Sequence, residues 1–431
     1  MPYFSIAGGI PLRGSCRVHG AKNAVLPILA AAVLTRRPVR LLDVPDLSDV
    51  RNMSEILRML GCHITRDGDA LCIDGSDAAC CELPEDLSKE LRSSIFLLGP
   101  VLGRFRRAVV TYPGGCEIGN RPIDLHLKGL SALRAHILEE GGRIHCDGHA
   151  LVGATIHLDY PSVGATENIM MAATAAEGET VICNAAREPE IVDLQDFLCA
   201  AGFDVQGAGT STVVIRGGCR PREVTFRIMP DRIVTGTLLC AAAITGGSVT
   251  VENACPAHLS ATLAKLTEAG CELTLYDRAI HLNAPPRPAA IPRLETLPHP
   301  GFPTDMQSQM CALASVADGT SVVVENVFEN RFKHVPELIR MGADILTRDR
   351  TAVIRGVPRL TGAAVTARDL RGGASLVLAG LCAEGTTTVH HIGHIDRGYD
   401  HLERMLRPLG ARITRHEETH GKEEPETGPT E

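Results

Sequence analysis

Six runs of small and apolar residues punctuate the chain, opening at Lys22, Arg92, Ser162, Arg232, Asp305 and Arg371, with successive openings 70, 70, 70, 73 and 66 residues apart. Each reads as a helix. Five close alike, on Ala176-Glu177-Gly178, Thr245-Gly246-Gly247, Ala317-Asp318-Gly319, Ala383-Glu384-Gly385 and, more loosely, Thr35-Arg36-Arg37. A β-rich stretch follows, as at 180–184, 248–253, 321–326 and 386–390. A second helical pattern then ends Leu-x-x-x-Gly at Gly61, Gly202, Gly270, Gly342 and Gly410. One closing strand completes the unit, so the chain predicts an internal repeat of roughly helix, strand, helix, strand. A period near 70 residues is longer than that of the usual solenoids, and small globular lobes of pseudo-symmetric units fit it better. The six copies divide into two lobes of three.

Equivalent helices in equivalent places bring their N-termini to one side of each lobe, where unpaired N–H groups and the helix dipole attract anions. Lys22, Arg92, Arg232 and Arg371 add cationic side chains at four of the six openings. The spacing alone therefore predicts an anion-binding cleft.

Composition narrows the partners. A chain of 431 residues carries two or three domains. A net charge of −8 and a pI near 6.1 argue against non-specific nucleic-acid binding, which needs a basic face. Aromatic content is 3% with no Trp, so stacking platforms for single strands are scarce. No uncharged apolar stretch of membrane-spanning length occurs, and the start lacks a secretory signal, which predicts a cytoplasmic protein with no membrane partner. Fifteen cysteines without a C-x-x-C pair indicate neither a disulfide framework nor a zinc ribbon. The Pro-rich stretch 284–303 reads as an extended connection, and 417–431 as a disordered tail. Nothing in the pattern speaks to oligomeric state.

The segment 112–126 interrupts the second repeat between its two helices. Gly114, Gly115 and Gly119 bracket Cys116 with permissive backbone, which suits a loop that carries a thiol over a cleft. Arg121 nearby favours a reactive thiol, which while protonated is a usable acid. The alternative is a glycine turn around an inert cysteine.

This loop is accompanied by Gly20-Ala21-Lys22-Asn23-Ala24, Ala186-Arg187-Glu188-Pro189-Glu190, Phe302-Pro303-Thr304-Asp305-Met306, Phe328-Glu329-Asn330-Arg331 and His394-Ile395-Asp396-Arg397-Gly398. Together these resemble the UDP-N-acetylglucosamine 1-carboxyvinyltransferase family over residues 3 to 415. The resemblance implies an α/β fold of two lobes, each an inside-out α/β barrel of three repeats with helices inside and sheets outside. The lobes implied are 21–229, carrying the Cys116 loop, and 1–20 with 230–416. It also implies transfer of the enolpyruvyl group of phosphoenolpyruvate to the 3-hydroxyl of UDP-N-acetylglucosamine by addition and elimination, with no cofactor or metal.

Residue by residue, the resemblance makes Lys22, Arg121 and Arg397 ligands of the phosphate, with Arg331 and Arg371 candidates for the carboxylate; how the two groups divide among the arginines stays open. Guanidinium forks suit both oxyanions. Cys116 matches the acid that protonates the methylene carbon and can form a covalent phosphoenolpyruvate adduct, which implies alkylation by fosfomycin. Asp305 matches the group that accepts or orients the sugar hydroxyl, and Thr304-x-x-Gln307 reads as a capping box that puts Asp305 in a first helical turn. Asn23 and Arg92 match contacts to the donor or the sugar nucleotide. Arg121, Pro122, Ile123, Asp124 and Leu125, with Tyr160, Pro161, Ser162, Val163 and Gly164, match a uridine diphosphate clamp, and Val327 a main-chain sugar contact. Tyr160 departs from the pattern, since many relatives have Lys there.

His390, His391 and His394 have spacing compatible with a metal but read as an ordinary strand end and loop. Neither a Walker A sequence nor a dinucleotide fingerprint is present. Two rival functions remain: a sibling enzyme acting on shikimate 3-phosphate, and a non-catalytic sensor of UDP-sugars. The Cys116 loop and the clamp speak against the first, and an acid that binding alone does not need speaks against the second.

Overall fold

Each apolar run folds as a helix enclosed on nearly every side. In the computed structural model, which describes residues 1–90, 92–112 and 123–417 apart from the side chains at 89, 90 and 92, these are Lys22–Thr35, Leu98–Phe105 after the 3₁₀ turn Arg92–Leu97, Val163–Ala173, Arg232–Ile244, Gln307–Val316 and Leu370–Cys382. Every residue of Arg232–Ile244 and of Gln307–Val316 is buried. Small residues make this possible. A Cβ added at Gly99 would stand 2.3 Å from the Asn168 carbonyl oxygen, and one at Gly129 would stand 2.1 Å from Ile169 Cδ1. Close packing of this kind leaves no room for one more methyl.

The predicted single closing strand is instead a hairpin. His63–Asp67 turns back on Ala70–Asp74, and His136–Glu140, Glu272–Tyr276 and Asp344–Arg348 do the same with Arg143–Asp147, Ala279–Asn283 and Thr351–Arg355. The strand that follows each first helix pairs antiparallel with the second arm of the hairpin. These sheets bury one face and leave the other to solvent, as in the alternating burial of Thr351–Arg355. The two-residue period hides a tight hairpin inside what reads as one β segment.

An extra parallel strand links the repeats. Thr155–His157, Leu294–Glu295 and Ala364–Thr366 each join the sheet of the next repeat. Val224–Arg227, at the end of the third repeat, returns to Val39–Leu42 of the first. In the other half Arg13–Arg17 joins Ser248–Glu252, and Tyr3–Ala7 lies between Thr386–His390 and Arg412–His416. The N-terminal strand thus fills the place that a hairpin arm takes in the other sheets. Leu294–Glu295 also shows that the Pro-rich connection is extended and contributes a short strand.

The Leu-x-x-x-Gly endings have one physical cause. Gly61, Gly202, Gly270, Gly342 and Gly410 sit at φ of 97°, 99°, 88°, 95° and 93°, the left-handed conformation that ends a helix and that side chains resist.

Among the described residues two hydrophobic cores result. One draws on Ala21 through Met229, the other on Phe4 through Val18 with Ile233 through Ile413. The chain crosses between them twice, side by side: Ala21 N donates to Met229 O at 2.7 Å and Asp231 N to His19 O at 3.0 Å. Beside the crossing, buried Asp43 accepts from Arg17 at 2.6 and 3.2 Å and from Asn253 at 3.3 Å. Against the burial that would raise it, His19 and Arg17 bring the Asp43 carboxyl down to about 2. Among the described residues no helix is long and apolar enough to cross a membrane.

Candidate active site at the junction of the lobes

The paired crossings bring helix tips of the two halves face to face. Asp231 caps Arg232–Ile244 by accepting from Ile233 N at 2.8 Å and Val234 N at 3.0 Å with Oδ1, while Oδ2 accepts from Lys22 N at 3.1 Å. Asp369 caps Leu370–Cys382 in the same way, at 3.0 and 2.9 Å. The N–H groups expected to draw an anion at these two tips are therefore partly satisfied by the chain's own carboxylates. The attraction passes to the cationic side chains.

Lys22 is the first residue of its helix and is buried. Its Nζ lies 2.5 Å from Asp49 Oδ2, and the Asp49 carboxylate also accepts from Arg397 Nε at 3.0 Å and Nη2 at 3.4 Å. Asp49, in the first turn of Ser48–Met59, thus joins a lysine of one lobe to an arginine of the other. Burial takes the Lys22 ammonium below the ordinary lysine range, Asp49 works against that fall, and Arg397 and Arg371 add to it. Burial would raise the Asp49 carboxyl, but Lys22 and Arg397 together hold it below the carboxylate range.

A second junction has the same stoichiometry. Asp305 Oδ1 accepts from Arg331 Nη2 at 2.8 Å and Oδ2 from Arg371 Nη2 at 3.0 Å, and the two arginines are only 2% and 3% exposed. Among the described residues the buried Nε of Arg331 and the Nε and Nη1 of Arg371 have no acceptor. Burial opposes the Arg371 charge, yet Asp305, Tyr399 and Asp231 keep it above the usual range. Neighbouring His334 is fully buried, and that burial holds its ring neutral beside Arg331.

The capping box does not form. Thr304 Oγ1 donates to Glu325 Oε2 at 3.0 Å instead, Pro303 supplies the cap position without a side-chain bond, and Asp305 sits in the 3₁₀ turn Thr304–Met306 ahead of Gln307–Val316. Glu325, completely buried, also accepts from Thr296 Oγ1 and from the N–H groups of Val327 and Phe328. The Val327 N–H is thereby used internally, leaving its carbonyl for a main-chain contact.

Arg232 and Glu190 also bond across the lobes, with Nε 3.0 and 3.2 Å from the two carboxylate oxygens. Around them stand Glu188 and the wholly buried Glu167, whose oxygens find no partner among the described residues; burial raises both carboxyls. Tyr160 is 45% exposed, its phenol pushed up by burial and then by Glu188 and Glu325.

Ser162 caps Val163–Ala173, donation from Ala165 N to its Oγ measuring 3.3 Å. Ile123, Asp124 and Leu125 open the helix Asp124–Ala132, which lies directly against it: a Cβ at Gly164 would come within 3.0 Å of the His126 ring. The described parts of the expected clamp, 123–125 and 160–164, are thus neighbours. Lys22, Arg397 and Asp305, Arg331, Arg371 fall into two adjoining ion clusters, with Asn23 following Lys22 on the same helix. Cys116, Arg121 and Pro122 lie outside the described residues, as does the side chain of Arg92 and the tail beyond Glu417. Asp49, Asp231 and Glu325 escaped the sequence reading, and Glu190 entered it only as part of a motif, without a role. Only the helix-start pattern Leu47-Ser48-Asp49 hinted at the first, and first-turn acids are common.

Comparison with known proteins agrees with this architecture. The sequence profile described as EPSP synthase (3-phosphoshikimate 1-carboxyvinyltransferase) matches residues 6–420. UDP-N-acetylglucosamine 1-carboxyvinyltransferase 2 of Caldanaerobacter subterraneus subsp. tengcongensis is 52% identical over 415 residues, covering 96% of this chain and 100% of that protein. The UDP-N-acetylglucosamine 1-carboxyvinyltransferase of Gloeobacter violaceus is 50% identical over 416 residues, covering 96% and 91%. The crystal structure of the enolpyruvyl transferase NikO from Streptomyces tendae superposes with a TM-score of 0.87 at 26% identity, covering 96% of this chain and 98% of that one. The chain has the enolpyruvyl transferase fold and belongs to the family of the UDP-N-acetylglucosamine 1-carboxyvinyltransferases.

Proposed function

We propose that the junction of the lobes transfers the enolpyruvyl group of phosphoenolpyruvate to the 3-hydroxyl of UDP-N-acetylglucosamine and releases phosphate, the first committed step of peptidoglycan synthesis, in the cytoplasm. The observation that carries this reading is the convergence of Lys22 and Arg397 on Asp49 beside that of Arg331 and Arg371 on Asp305. Such a cleft offers paired cationic side chains to a small donor with an anionic group at either end.

In the addition step, Asp305 takes the proton of the sugar hydroxyl as its oxygen bonds to C2 of the donor, and the Cys116 thiol gives a proton to the methylene carbon. Lys22, Arg121 and Arg397 hold the phosphate, while Arg331 and Arg371 hold the carboxylate; fixed cations of this kind stabilise charge without reorganising. Elimination then returns a proton from the new methyl group to the Cys116 thiolate and breaks the C2–O bond to phosphate, restoring the vinyl group, and the proton held by Asp305 leaves with the phosphate. Asn23, Arg92, the clamp at 121–125 and 160–164, and the Val327 carbonyl orient the sugar nucleotide.

Phosphate release measured with UDP-N-acetylglucosamine and with shikimate 3-phosphate as acceptors tests the assignment. Turnover with the first alone is expected, and turnover with the second alone would replace this reading by the sibling activity. Cys116→Ser abolishes release and the mass added by phosphoenolpyruvate, and fosfomycin inactivates the native protein while adding mass at Cys116. Binding without turnover in the native protein is the outcome that leaves a UDP-sugar sensor.

A further inference from the structure

The donor-binding reading gives the buried acid Asp49 no role. Asp49 is 3% exposed, although acids in a first helical turn ordinarily face solvent and serve the helix dipole. Its carboxylate makes no side-chain cap. Both oxygens are committed to Lys22 and Arg397, residues of opposite lobes.

We propose that Asp49 is the positioning residue of the phosphate end of the cleft, holding the Lys22 ammonium and the Arg397 guanidinium in one geometry across the two lobes. This rests on the enolpyruvyl transfer reading. At each end two cations pair directly with one carboxylate, Lys22 and Arg397 with Asp49 and Arg331 and Arg371 with Asp305, while Asp231 accepts from the Lys22 N–H. Each end is therefore set to receive one anionic group of the donor, and Asp49 stays as the anchor because its own bonds fix where both cations stand.

The charges facing Lys22 decide how this shows experimentally. Asp49 lies against its ammonium, Asp231 accepts from its backbone N–H, and Arg371 and Arg397 stand on the opposite lobe. Burial and the two arginines favour the neutral amine, and Asp49 favours the charged one. Removing the Asp49 charge lets Lys22 discharge at lower pH, so the alkaline fall of activity moves toward neutrality. A side chain that merely supported the helix would lower activity by one factor at every pH.

The test is the pH profile of kcat/KM for phosphoenolpyruvate, from phosphate release between pH 6 and 10, for native protein, Asp49→Asn, Asp49→Glu and Lys22→Arg. Asp49→Asn should lose at least tenfold more at pH 9 than at pH 6, with Asp49→Glu recovering most of that difference; because the Cys116 thiol gives every protein an alkaline fall of its own, Asp49→Asn made in the Lys22→Arg background should instead lose one factor at both pH values. In the native background, an Asp49→Asn deficit that is constant with pH, or native behaviour, overturns the proposal. If Asp49→Asn does not fold, Asp49→Ser takes its place in both backgrounds, and a deficit constant with pH in the native background overturns the proposal in the same way. Should the native protein release no phosphate, the parent reading fails by itself. Calorimetric binding of inorganic phosphate at pH 6 and 9 then judges Asp49: affinity lost by Asp49→Asn mainly at pH 9 upholds the role, and equal affinities there overturn it.

Discussion

Replacing Asp305 by Asn separates the two duties this side chain carries. In the free protein its oxygens accept from Arg331 at 2.8 Å and from Arg371 at 3.0 Å. Asparagine keeps one acceptor, turns an amide donor toward the other guanidinium, and removes the counter-charge of two arginines that are 2% and 3% exposed. A charge-assisted hydrogen bond is worth about 1.5–3 kcal/mol net, and breaking a buried ion pair costs about 3–5 kcal/mol. Because the Asp305 side chain itself is 25% exposed, water relieves part of this. Asp305→Asn is therefore expected to lose about 3 kcal/mol of stability in urea unfolding. Phosphoenolpyruvate, whose carboxylate offers the same two arginines a partner, should return much of it, giving the variant a larger ligand-induced gain than the native protein. Catalysis falls further, by about 10²–10⁴ in kcat, the usual contribution of a general base. Phosphate-release kinetics and urea midpoints with and without phosphoenolpyruvate read the two effects on the same preparations. A kcat within tenfold of native refutes the base, and an unchanged midpoint refutes the clamp.

Two further predictions concern the scaffold around the site. Glu190→Gln or Arg232→Met, each leaving a buried partner uncompensated across the lobes, should cost about 3–5 kcal/mol, while the double variant costs less than their sum by at least about 2 kcal/mol; additive losses in a double-mutant cycle would show that the pair is not coupled. Burial, helped by Asp196 and Glu190, raises the Asp193 carboxyl to about 7 against the Met229 N–H that it accepts. The folded state then binds more protons than the unfolded one between pH 4 and 7, so stability falls as pH rises through that window. Asp193→Asn, which keeps an acceptor for Met229, should gain a few kcal/mol over native at pH 8 and much less at pH 5, and an equal difference at both pH values in urea unfolding contradicts the assignment.

What was legible in the sequence had local causes. The spacing of the openings followed from six helices that must each be small and apolar to be enclosed by their neighbours. The Leu-x-x-x-Gly endings followed from a left-handed residue that glycine adopts most easily, as at Gly61 and Gly410. Lys22, Asp305 and Arg371 announced themselves because helix tips recur at a fixed interval. The hairpins were lost inside single β segments because a two-residue period does not record a reversal between them. Thr304-x-x-Gln307 misled because a cap is only one claimant on a threonine hydroxyl, and Glu325 won it through folding.

By itself, then, the sequence determined the repeated unit, the helix starts and stops, and the residue types for an anionic substrate, since each depends on neighbours a few positions away. Only the tertiary structure decided that Tyr3–Ala7 completes the sheet of the last repeat, and that Asp49 meets Arg397 at a sequence separation of 348 and Asp231 meets Lys22 at 209. The physical reason is that a carboxylate's partner is chosen by charge and burial in space, and no local pattern encodes which distant cation the fold will bring to it.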